Sequence, residues 1–129
     1  MAEIAHEKYV ALTTYKRDGT PKSLPVWIAD FGDGTIGFTT SSSSYKVKRI
    51  RNDPRVELQP SNSRGDVKEG TSAVSGTAVV VTGAEFEPCR EVVKAKYGLQ
   101  YRAIELIGKI QRRRGKGSGT DAGVKITLD

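Results

Sequence analysis

The chain has 129 residues, 36% of them hydrophobic and 28% charged, with a formal net charge of +6 from 21 bases and 15 acids. That is the size and mix of one domain over residues 1–129 with one modest core. No apolar run approaches the length of a membrane span, the longest lying near Ala78 to Val81, so no integral membrane association is expected.

From 9 to 15 the residues are strand formers, and Asp18-Gly19 is a hairpin signal before a second extended run over 22–29. Pro21 and Pro25 each remove a ladder donor, which assigns the second strand to an edge, a bulge or a strand start. Gly32-Asp33-Gly34 marks a tight turn and 36–40 a third strand, so the three strands are expected to form a meander. Four serines, 41–44, run straight into 45–51, where Val47 and Ile50 have helical spacing. A serine at 43 or 44 is the expected N-cap, and Pro54 ends the helix after about two turns. Residues 55–59 resume as a strand, 62–70 read as a polar loop, and 73–82 form a β-branched run suited to a central strand. Glu85-Phe86-Glu87 leads into a helix with Pro88 at its first position, broken at Tyr97-Gly98. A further helical piece is expected over about 100–113, a mobile loop over 112–119 and a last strand over 124–128. Hairpin-linked strands with helices mostly after them indicate a mainly β, α+β domain or small barrel.

A single cysteine, Cys89, excludes an internal disulfide, and with a single histidine, His6, too few soft ligands are present for a zinc site. Demanding chemistry would belong to a bound cofactor. The N-terminus lacks a basic start and an apolar stretch, so the cytoplasm is the expected compartment.

Charge is spread unevenly. Residues 90–116 hold nine bases against two acids, and Lys46, Lys48, Arg49 and Arg51 put four bases in six residues with no acid among them. Such clusters suit an anionic partner or a solvated basic face. An aromatic content of 7% is low for a base-stacking platform and no reading motif is present, so no nucleic-acid partner is expected. Lys46 and Lys48 at a helix start oppose the macrodipole, which favours negative charge there, and a bound anion would resolve the conflict. First-turn amides, hydroxyls of Thr39, Thr40 and the serines 41–44, and the Lys46 ammonium could together surround a phosphate. A solvated helix start is the plainer alternative.

Gly19-Thr20-Pro21 with Pro25-Val26-Trp27, then Phe38-Thr39-Thr40, then the run 46–56 resembles the pyridoxamine-phosphate-oxidase-like split β-barrel family. Within it the chain looks most like small actinobacterial proteins assigned to the deazaflavin coenzyme F420, including Lys96-Tyr97-Gly98 and the arginine run 112–114. The resemblance implies a split β-barrel with flanking helices, as a homodimer with a flavin-like cofactor in each of two grooves at the dimer interface. Lys46 matches the family's phosphate lysine, Thr39 and Thr40 the pair lining that pocket, and Pro25, Val26 and Trp27 the segment along the ring system. Ser44 stands where relatives often carry a basic residue, and its hydroxyl can still donate. A lone strand tryptophan has a second reading, as a core or interface anchor.

F420 and FMN share a ring, a ribityl chain and a phosphate, but F420 continues into a string of glutamates. Lys48, Arg49, Arg51 and Arg55 could meet such a tail, while Arg49 and Arg55 are equally open to solvent or to carboxylates of a dimer mate. The implied function is an F420-dependent reductase that transfers a hydride between the cofactor and a small organic acceptor. The alternatives are an FMN-dependent oxidase or reductase of the same fold and a non-catalytic F420 carrier. No catalytic residue is marked: His6, Tyr45, Tyr97 and Tyr101 are proton donors by type alone. Cys89 at a helix start has either a lowered pKa or a buried packing role.

Overall fold

A computed structural model describes residues 3–98 and 120–129. Strand β1 (Tyr9–Tyr15) pairs with β2 (Pro21–Trp27), Tyr9 opposite Trp27 and Tyr15 opposite Pro21. Asp18 closes this hairpin by accepting the Thr20 amide at 2.9 Å, and Gly19 supplies the positive φ of 88° that the turn needs. β2 stops at Trp27, short of the expected run to 29, because the backbone of Ile28 is engaged by side chains from a distant helix. Its N–H donates to the Tyr97 hydroxyl at 2.9 Å, and its carbonyl accepts from Lys96 Nζ at 2.5 Å.

The remaining elements are β3 (Ala29–Asp30), β4 (Ile36–Thr40), α1 (Tyr45–Asn52), β5 (Arg55–Ser61), β6 (Val74–Thr82), α2 (Phe86–Tyr97) and β7 (Ala122–Leu128). All strands join one antiparallel sheet in the order β2-β1-β5-β6-β7-β4-β3. The expected meander is therefore corrected. β4 pairs with β7 and the two-residue β3, not with β2. β2 carries both prolines and so terminates the sheet, while β7 returns from far along the chain to fill the ladder beside β4. The sheet curls until β2 and β4 touch, giving a mainly antiparallel β half-barrel with, among the described residues, two α-helices against it.

Leu12, Ile28, Phe38, Leu58 and Ile126 are among the buried side chains of one core cluster. Val47 and Ile50 turn the inner face of α1 onto that sheet, where the helix meets β1 and β6. α2 differs from expectation at its start: a 3-10 turn, Gly83–Glu85, feeds directly into Phe86, so Pro88 is the third helical residue rather than the first. It still lies in the first turn, where its missing N–H has no intrahelical partner to lose. Gly98, with a φ of 51°, ends the helix. The helical piece expected over about 100–113 and the loop over 112–119 fall outside the described residues. Among the described residues no helix is long and apolar enough to cross a membrane.

Candidate functional site

The turn between β4 and α1 begins at Thr40, which is buried, and Thr39, which is half-buried. Ser44 accepts the Val47 amide at 3.4 Å and caps α1 as its spacing predicts. The rest of the turn is held by a residue that sequence reasoning did not single out. Asp121 donates its own amide to the Thr40 carbonyl at 3.1 Å, accepts the Ser42 amide on Oδ1 at 2.6 Å and accepts the Ser42 hydroxyl on Oδ2 at 2.8 Å. Part of the expected phosphate cradle is thus already bonded to a carboxylate of the chain itself.

Lys46 follows the cap. Its side chain is half-buried, and it has no hydrogen-bond or ion-pair partner among the described residues. Burial, and secondarily the Arg49 guanidinium, pushes its ammonium below the ordinary lysine value of 10.5. A partly desolvated cation without a counter-charge is what an anion site looks like before its ligand is counted.

A second zone lies on the outer face of the same helix. A cleft of about 650 Å³ is lined by Lys48, Arg49 and Arg51 from α1 together with Lys16 and Arg17 from the β1–β2 hairpin. Tyr15 and Tyr45 supply aromatic wall, and none of the described lining residues is acidic. Lys48 stands over the Tyr45 ring at 5.1 Å, and Arg49 Nε donates to Thr14 Oγ1 at 2.6 Å. Five residues along a helix is a rotation of about 140°, so Lys46 and Arg51 leave α1 on opposite flanks, and the structure does not place them in one pocket. Arg55 is committed elsewhere: Nη2 meets Asp53 at 2.8 Å and the guanidinium lies 5.0 Å from the Tyr15 ring. Lys16 and Arg17 escaped sequence reasoning because they read as hairpin charges. Only the packing of that hairpin beside α1 brings them to the cleft.

Pro25, Val26 and Trp27 lie on β2, the end strand of the sheet order. Pro25 is overlain by the 62–66 loop; a Cβ on Gly65 would come within 3.1 Å of its ring. Val26 is buried, and Trp27 stacks on Tyr97 with centroids 4.1 Å apart and planes 6° from parallel. Because β2 touches β4, this segment and the Thr39-Thr40 pair lie on strands that meet where the sheet curls.

Several candidate proton donors are otherwise occupied or lie elsewhere. The Tyr97 hydroxyl accepts from Ile28 N–H and turns its proton toward the Lys8 carbonyl at 2.6 Å and the Ile28 carbonyl at 3.0 Å, and burial raises its pKa to about 12. Lys96 clamps the carbonyls of Ala5, Glu7 and Ile28. Cys89 is buried, its thiol pushed up by burial rather than lowered by the helix start, and it packs where a Cβ on Gly123 would lie 3.1 Å from Sγ. His6 is exposed in the 3-10 turn Glu3–His6, and Tyr101 falls outside the described residues.

A family model described as pyridoxamine 5'-phosphate oxidase matches residues 1–127. The chain belongs to the pyridoxamine 5'-phosphate oxidase family. Its half-barrel is the split-barrel fold of that family, and solved structures share it widely. The haem storage protein HutZ from Vibrio cholerae aligns at a TM-score of 0.67 and 9% identity, over 95% of this chain and 82% of its own. A conserved hypothetical protein from Mycobacterium tuberculosis aligns at 0.67 and 25% identity, over 99% and 81%. A structure described as an F420 reductase aligns at 0.53 and 16% identity, over 96% and 88%. No curated protein sequence gives a match.

Proposed function

We propose that this member of the pyridoxamine 5'-phosphate oxidase family is an F420-dependent reductase, active as a homodimer on a small organic acceptor. The observation that carries this reading is the arrangement on α1: a half-buried Lys46 with no partner among the described residues on one flank, and a five-base cleft on the other. A cofactor that stops at its phosphate needs the first alone. One whose phosphate leads into a chain of carboxylates has a use for both. The fold shared with an F420 reductase supports the choice.

Bound F420 supplies the hydride chemistry at its ring, and the chain's residues bind and orient it. Lys46 holds the phosphate, with Thr39, Thr40 and Ser44 beside it on the same turn. Lys48 and Arg51, joined by Lys16 and Arg17, neutralise the carboxylate tail, each exposed contact contributing about 0.2–1 kcal/mol. Pro25, Val26 and Trp27, on the terminal strand, would run along the polar rim of the ring. The Tyr97 stack on Trp27 stiffens that strand. With the Tyr97 hydroxyl and the Lys96 ammonium already bonded, solvent or another nearby hydroxyl would supply the proton to the acceptor.

Titrating the purified protein with F420, FMN and haem side by side, followed by absorbance, tests the reading. F420 is expected to bind tightest, and a preference for FMN or haem would replace it. Oxidation of reduced F420 by a panel of enones and quinones tests the reaction. Binding without turnover of any acceptor would make the protein a carrier.

A further inference from the structure

We infer that Asp121 sets the choice between a phosphodiester and a phosphomonoester at the β4–α1 turn, which makes it a specificity determinant for the F420 reading above, on which this inference rests. The residue sits immediately before β7 and directs its amide and both carboxylate oxygens to residues 40–42. Two consequences follow from its contacts. One amide and one hydroxyl of the serine turn, donors that would otherwise face an incoming anion, are consumed. A carboxylate is also fixed beside the turn, held by the Ser42 amide and hydroxyl and with no ion-pair partner among the described residues.

The two candidate cofactors meet this turn differently. The phosphate of F420 is a diester, with one negative charge and two terminal oxygens. That of FMN is a monoester, with nearly two charges at neutral pH and three terminal oxygens that all seek donors. Lys46 with the hydroxyls of Thr39, Thr40 and Ser44 suffices for the diester. The monoester brings an extra charge toward a fixed carboxylate and finds too few donors for its third oxygen. Asp121 forms no ion pair with Lys46; its carboxylate oxygens are bonded to the Ser42 amide and hydroxyl instead. The cation stays available for the diester while the carboxylate acts against the dianion.

The test measures dissociation constants of F420 and FMN for the wild type, Asp121→Asn and Asp121→Ala at low ionic strength. The asparagine keeps an acceptor for the Ser42 amide and removes only the charge. The alanine also frees both Ser42 donors. FMN is expected to tighten about threefold to fivefold in Asp121→Asn with F420 changing less than about twofold, as befits a single exposed charge, and the preference for F420 over FMN to fall further in Asp121→Ala. FMN binding that is undetectable in the wild type and appears in Asp121→Ala counts equally in favour. If both ligands shift together, as loss of a purely structural brace would cause, or if FMN is undetectable in all three proteins, the inference is overturned while F420 binding itself still stands. If the wild type binds neither cofactor, the F420 reading falls and this inference falls with it.

Discussion

Lys46 concentrates the chemistry of the molecule in one side chain, and its behaviour follows from what surrounds it. The fold lowers its pKa below 10.5, so a bound anion must raise it again, and binding takes up protons. Affinity for F420 therefore declines as pH rises through the lowered value, earlier than an ordinary lysine would cause. Lys46→Arg, whose guanidinium keeps its charge, should flatten that decline, and Lys46→Ala should cost about 1.5–3 kcal/mol of binding at neutral pH. Titrations across the alkaline range check both. Tyr97 shows the opposite sign. Burial disfavours its phenolate and raises its pKa from 10.0 to about 12, so its stabilising contribution is complete below pH 10.0 and is lost as pH rises toward 12. Tyr97→Phe leaves the Ile28 amide without its acceptor and should cost about 1–3 kcal/mol at neutral pH. It should also remove this share of the alkaline loss, as urea midpoints at several pH values will show. The sequence marked both residues, Lys46 by its position against the helix dipole and Tyr97 by the glycine that follows it. It did not show that Tyr97 is a backbone clamp, because its partners lie 69 and 89 residues away.

At the scale of elements, legibility depended on the range of the interactions. α1 was readable in full because its cap, its buried pair Val47 and Ile50 and its stop before Pro54 all act within a dozen residues. The β1–β2 hairpin was readable for the same reason, through Asp18 and Gly19. The neighbour of β4 was not, since an alternating strand carries no label for its partner and β7 arrives after a long excursion. That pairing is nevertheless tightly specified. Gly37 stands where a Cβ would fall 1.7 Å from the Val124 carbonyl oxygen, so Gly37→Ala must push β4 away from β7. A loss of about 3 kcal/mol or more is expected, seen as a lowered midpoint in chemical denaturation. Because β4 leads directly into the turn before α1, F420 affinity should fall with it.

Across the whole molecule the charge becomes a binding surface only after folding. The sequence presents four bases over residues 46–51, and the helix then divides them between a half-buried flank and an open cleft to which the hairpin adds Lys16 and Arg17. Replacing Lys48 and Arg51 together by alanine should weaken F420 binding by about 0.4–2 kcal/mol for two exposed contacts and flatten its salt dependence. FMN, which has no tail, should be unaffected. Binding isotherms at two salt concentrations decide this.

By itself the sequence determined the short-range features: the hairpin, the capped helix, the edge character of a proline-bearing strand, and a family resemblance carried by motifs in order. These depend on backbone preferences and neighbours a few positions apart. The strand order, the stacking of Trp27 on Tyr97, the division of the basic residues and the placement of Asp121 on the serine turn were decided by tertiary structure alone. Each depends on groups far apart in the chain, whose meeting is set by how the sheet curls and not by any pattern that either segment carries.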